Sequence, residues 1–252
     1  MEYNVHTLSN GIRLLHVPSA SAISHACIII NSGSRDEDEK QMGLAHFIEH
    51  LVFKRTEKRN TNQILTRLES IGADLNAYTT KEYTCIHASS LNPYLHPTLE
   101  LFNDIVFHSI FPEDEMEKEK GVILDEITSY LDQPEEAIND DFEDQLFAGH
   151  PFGRNILGTP ETVNALTRND ILKFIAANYK TDEIVVAVIG DYALNKFIKI
   201  GAKHFEAVSA NLTLKTRVAP IVNPAQKVVV NKQISQAHVM MGKQAYSLHH
   251  PY

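Results

Sequence analysis

Gly43-Leu44-Ala45-His46-Phe47-Ile48-Glu49-His50-Leu51 is the stretch around which the rest of the chain is organised. A residue on an α-helix turns about 100° from its neighbour, so His46 and His50, one turn apart, project from one side with Glu49 beside them. Neutral imidazoles are good zinc ligands, and a carboxylate on the same side reaches a water held at the metal. Leu44, Phe47, Ile48 and Leu51 give this helix a buried face. The acidic run Asp36-Glu37-Asp38-Glu39 in front of it reads as a solvated loop.

Hydrolytic zinc usually holds three side chains and a water, so a third ligand must come from elsewhere in the chain. The best source is the stretch from Phe111 to Ile127, where Pro112 suits the start of a helix and the acidic residues behind it suit the positive end of the helix dipole. Glu119 and Glu126 lie two turns apart and share a face of that helix. One of the two carboxylates completes the zinc shell, and the other holds a ligand imidazole from behind. Zinc as a purely structural clamp is disfavoured, because Glu49 would have no task and structural sites usually close with four protein ligands.

The order His-x-x-Glu-His, the reverse of the commoner zincin motif, resembles the pitrilysin/insulinase family of inverted-motif metallopeptidases, in its bacterial branch similar to mitochondrial processing peptidase. The likeness extends to Leu8–Leu14 as an opening strand, Gly33–Glu37 as the approach to the metal helix, Gly72–Thr79, Pro151–Thr159 and Ile184–Asp191. Arg55-Thr56 departs from the pattern, where a glycine is expected after Lys54. The resemblance implies that His46, His50 and Glu126 bind Zn²⁺, that Glu49 is the general base and that Glu119 supports the site. It further implies that Asn76, Ala77, Tyr78 and Thr79 form a strand edge beside the metal to which an extended peptide adds. The implied activity is that of a zinc endopeptidase, or its catalytic half, acting on unfolded or presequence-like peptides. The alternative is a non-catalytic scaffold or partner subunit, since the family includes members that keep the fold and lose the chemistry.

With 252 residues, 43% of them hydrophobic, the chain has enough apolar material for a large core. A net charge of -9 and the lack of a basic stripe argue against a nucleic-acid partner. No apolar run approaches the length of a membrane span, and the first residues lack a signal-peptide pattern, which fits a cytoplasmic setting. Cys27 and Cys85 are far apart in sequence and read as buried reduced thiols in strands.

The periodicity predicts strands over 12–17, 24–31, 75–80, 83–91 and 183–190. Helices are predicted over 61–71, from Pro93, Pro112 and Pro134, and over 168–179 and 193–205. The fold class is α+β, helices packed on a mainly antiparallel sheet, as one half of a two-half metallopeptidase. Residues 1–215 form the catalytic zinc-binding unit. Residues 216–252 read as a proline-bearing linker followed by strands, 227–230 and 236–242, that open a truncated second homologous domain. The missing C-terminal half, and a homodimer or heterodimer with a similar subunit, are implied partners besides the peptide.

Overall fold

The computed structural model describes residues 2–212, 215–221, 223–247 and 250. Strand β3 (Ile23–Ile30) carries the most apolar strand sequence at the start of the chain, and apolar residues on both faces suit an interior position. It takes that position in a six-stranded sheet ordered β1-β2-β6-β3-β5-β4. The other strands are β1 (Asn4–Thr7), β2 (Arg13–Pro18), β4 (Asp74–Thr79), β5 (Thr84–Leu91) and β6 (Ile184–Gly190). The β2–β6 pair is parallel and every other pair is antiparallel.

The helices are α1 (Leu44–Leu51), α2 (Thr61–Glu69), α3 (Leu95–Phe107), α4 (Glu113–Leu131), α5 (Pro134–Leu146), α6 (Pro160–Ala165), α7 (Arg168–Asn178) and α8 (Leu194–Phe205). Leu14, Ile28, Ile30, Ile86, Ala88, Val186 and Val188 form one buried face of the sheet and join the core. Against the sheet lie α3 on β3 and β5, α8 on β2, and α1 and α2 on β4. The opposite face leaves Ile23, Tyr78, Leu91 and Ile189 exposed.

Several expectations need correction. Residues 8–11 are a tight turn rather than part of an opening strand: Leu8 and Ile12 bond across it and Gly11 takes a φ of 97°, a left-handed value that glycine adopts without strain. The strand ahead of that turn, β1, and the short helix α6 were not anticipated. Among the described residues no strand follows β6, so 227–230 and 236–242 form no ladder and are largely exposed. Val222, in the expected linker, lies outside the described residues. The acidic run before α1 is not uniformly solvated, since Glu37 is buried and the Asp36 carboxylate is enclosed by basic groups.

Cys27 and Cys85 are free thiols on the paired strands β3 and β5. The register Cys27↔His87 and Ile29↔Cys85 makes them diagonal neighbours. The Cys85 thiol and burial push Cys27 up, while the hydrogen bond with Cys27 holds Cys85 down at about 7. Among the described residues no helix is long and apolar enough to cross a membrane.

Candidate metal centre

Helices α1 and α4 pack against each other and bring together residues that are distant in sequence. On α4 the buried residues Met116, Glu119, Lys120, Ile123 and Ile127 follow helical spacing. Glu126 sits at the edge of that stripe with 43% of its side chain exposed, facing the imidazoles of α1. His46 Nε2 lies 3.8 Å and His50 Nε2 3.7 Å from Glu126 Oε2. One atom from each of the three residues lies within 4.8 Å of the others, the only such histidine, cysteine and carboxylate group among the described residues.

The donors fit a zinc ion. Two imidazole nitrogens and a carboxylate oxygen are the set zinc accepts, with bonds of about 2.0–2.2 Å. Burial, and secondarily His50, lower the pKa of His46 to about 4, so the ring is neutral and its lone pair is available near neutral pH.

The two imidazoles are supported differently. His50 Nδ1 lies 3.1 Å from Glu119 Oε2, which leaves Nε2 toward Glu126, and Glu119 Oε1 is itself held by Lys54 Nζ at 2.6 Å. His46 Nδ1 is buried without a hydrogen-bond partner. Its position therefore depends on the backbone of α1.

That backbone is fixed from the N-terminal end. Gly43, the N-cap residue, has a φ of 92°, and a Cβ there would meet the carbonyl oxygen of Leu157 at 2.6 Å. The segment 151–159 thus packs backbone to backbone against the start of the metal helix. The two amides Gly43 N and Ala45 N donate to the Glu37 carboxylate at 3.0 and 2.7 Å. Burial pushes Glu37 up to about 8, opposed by these two amides and by Arg154. Arg154 also donates to the Glu37 carbonyl at 2.9 Å.

Glu49 Oε2 is buried without a partner. Burial raises its pKa, with Thr79 and His50 pulling it back down. Thr79 thus neighbours Glu49, but the stretch 76–79 is split between two faces. Ala77 and Thr79 are half-buried on the side of β4 that α1 covers, whereas Asn76 and Tyr78 project to the other side. Tyr78 there contacts Tyr83 and His87. Asn76 Oδ1 accepts the Ala77 amide at 2.8 Å. β4 is the last strand of the sheet, so one of its edges has no described partner.

An α+β layer presents a two-histidine, one-glutamate cluster with a half-buried carboxylate beside it, a donor set that fits a hydrolytic metal centre. The chain belongs to the insulinase family, peptidase family M16, whose profile matches residues 14–160. A second profile, the peptidase M16 inactive domain, matches residues 165–252. The chain is 34% identical over 245 residues to a Mycobacterium leprae protein named as an uncharacterized zinc protease, covering 94% of this chain and 54% of that protein. It is 31% identical over 252 residues to the mitochondrial-processing peptidase subunit beta of Bos taurus, covering 99% of this chain and 51% of that one. The crystal structure of a protease from Helicobacter pylori aligns with a TM-score of 0.81 at 27% identity, covering 88% of this chain and 54% of that chain. The chain spans about half the length of the curated relatives it matches.

Proposed function

We propose that the protein is a zinc-dependent endopeptidase, or the catalytic half of one, that cleaves unfolded or presequence-like peptides. The observation that carries this reading is the convergence of His46 Nε2, His50 Nε2 and Glu126 Oε2 beside a buried, unpartnered Glu49 oxygen. Zinc held by these three residues would supply the positive charge that makes a water acidic near neutral pH and polarises a peptide carbonyl. Glu49, made more basic by its burial, accepts that water's proton and later delivers it to the leaving amine. Glu119 keeps the His50 ring oriented, with its own charge balanced by Lys54.

An extended peptide adds to the free edge of β4, using backbone hydrogen bonds for affinity. Asn76 Oδ1 then has to release the Ala77 amide, which becomes free to donate to the peptide. In this reading residues 1–215 are the catalytic unit and 216–252 lead into a second homologous half. A homodimer, or a pairing with a similar subunit as the name of the bovine relative suggests, completes the assembly.

The competing reading is a non-catalytic scaffold or partner subunit, favoured by the match of the C-terminal third to a profile described as inactive. Zinc stoichiometry and cleavage of a quenched peptide by the full-length protein, wild type and Glu49→Gln, separate the two. Bound zinc with turnover that Glu49→Gln abolishes supports the peptidase. Absence of turnover in the full-length wild type supports the scaffold.

A further inference from the structure

We infer that Glu37 is a positioning residue for the metal site: its carboxylate, six residues before the N-cap Gly43 of α1, fixes the backbone that carries His46. The inference rests on the zinc reading above and assigns a role to a residue outside the ligand set. His46 is the third residue of α1. The amides of a first turn have no intrahelical acceptor, and Gly43 at the N-cap has no side chain to supply one. Glu37 accepts two of these hydrogens, Gly43 N on Oε2 and Ala45 N on Oε1, one carboxylate oxygen for each. The two oxygens thus stand where the helix itself offers no acceptor, whatever the charge on the carboxyl.

Two further observations give this cap a functional meaning. The first is the asymmetry of the imidazoles, since Glu119 orients His50 while His46 Nδ1 has no partner. A ligand ring ordinarily relies on a second hydrogen bond through its other nitrogen. For His46 that constraint has to come through the main chain. The second is the length of α1, eight residues, too short to be helical in isolation. The placement of its first turn is therefore set by tertiary contacts, and Glu37 makes two hydrogen bonds to that turn while being only 5% exposed itself.

The test measures zinc affinity by chelator competition and hydrogen exchange at the Gly43 and Ala45 amides in the metal-free full-length protein. The variants are Glu37→Gln, Glu37→Ala and a control, Asn10→Ala. Asn10 is a buried side chain bonded to the Phe205 and Val208 carbonyls at the β1–β2 edge of the sheet, opposite the β4 edge that α1 covers. Loss of an outer-sphere partner costs about 10–100-fold in metal affinity. Glu37→Gln, which keeps the volume and one acceptor oxygen, is expected near the lower end of that range and Glu37→Ala near the upper. Both should speed exchange at Gly43 and Ala45, while Asn10→Ala leaves zinc affinity and those two amides unchanged. Wild-type zinc affinity in Glu37→Gln, or an equal loss in Asn10→Ala, overturns the inference and leaves the peptidase reading standing. A wild type that binds no zinc overturns both.

Discussion

The two helices that bring His46, His50 and Glu126 together are opposites. α1 has eight residues, six of them buried, and is held by Glu37 and by the 151–159 segment. α4 has nineteen residues, five of them buried, and starts behind Pro112 with three acidic residues in its first turn. α4 carries its own helix signals, and α1 takes its shape from what surrounds it. The difference shows how a site can combine an enclosed part with an open one: His46, Glu49 and His50 sit on the enclosed helix, while Glu126 sits at the half-open edge of the other.

This contrast can be broken experimentally. The largest effect is expected for Glu49→Gln on α1, a drop in kcat of about 10²–10⁴-fold with zinc retained, read by single-turnover cleavage and metal analysis. Next is Phe47→Ala, which empties a fully buried site under α1 and should cost about 3–5 kcal/mol in urea unfolding. Glu119→Gln on α4 weakens the support of His50 and should lower zinc affinity about 10–100-fold, with little change in the unfolding midpoint of the metal-free protein.

A smaller, pH-dependent effect is expected at Asp36. Burial alone would raise its carboxyl, but bonds from Arg217 and Lys215 outweigh it and hold the pKa below the ordinary 3.8. A group depressed in this way stabilises the fold above its ordinary pKa, and that contribution is lost as the pH falls through the lower folded value. Arg217→Ala should therefore move the onset of acid unfolding to higher pH, measured by circular dichroism across roughly pH 2–5, a range that brackets that ordinary value. The smallest effect is expected for Val122→Ala on the exposed side of α4, within about 0.5 kcal/mol of wild type. A loss there as large as that of Phe47→Ala would show that α4 is as dependent on its surroundings as α1.

The parts of the site that depend on local spacing were legible in the sequence. His46, Glu49 and His50 announce themselves by helical periodicity, and Pro112 with its acidic followers marks the helix that brings Glu119 and Glu126 to one face. Glu37 was not legible, because Asp36-Glu37-Asp38-Glu39 has the composition of a wetted surface loop and nothing local marks the residue that turns inward. The pairing of β2 with β6 was equally hidden, since a parallel ladder between strands so far apart leaves no short-range trace. The same holds for the approach of Cys27 to Cys85. α6 did carry a signal, Thr159 ahead of Pro160 with Thr162 bonding back to it, a cap followed by a proline at the helix start.

β6 lies between β2 and β3, and it is the only strand that bonds to both. A growing polypeptide that has not yet reached Ile184 therefore lacks the strand that joins β1–β2 to β3–β5–β4. The gap between the two family profiles, at residues 161–164, falls ahead of this keystone, so a cut placed there severs one sheet instead of parting two domains. At roughly 5–20 residues per second, translation from β3 to β6 takes on the order of ten seconds. For that interval on the ribosome, the helix bearing the two histidines hangs from an unfinished sheet.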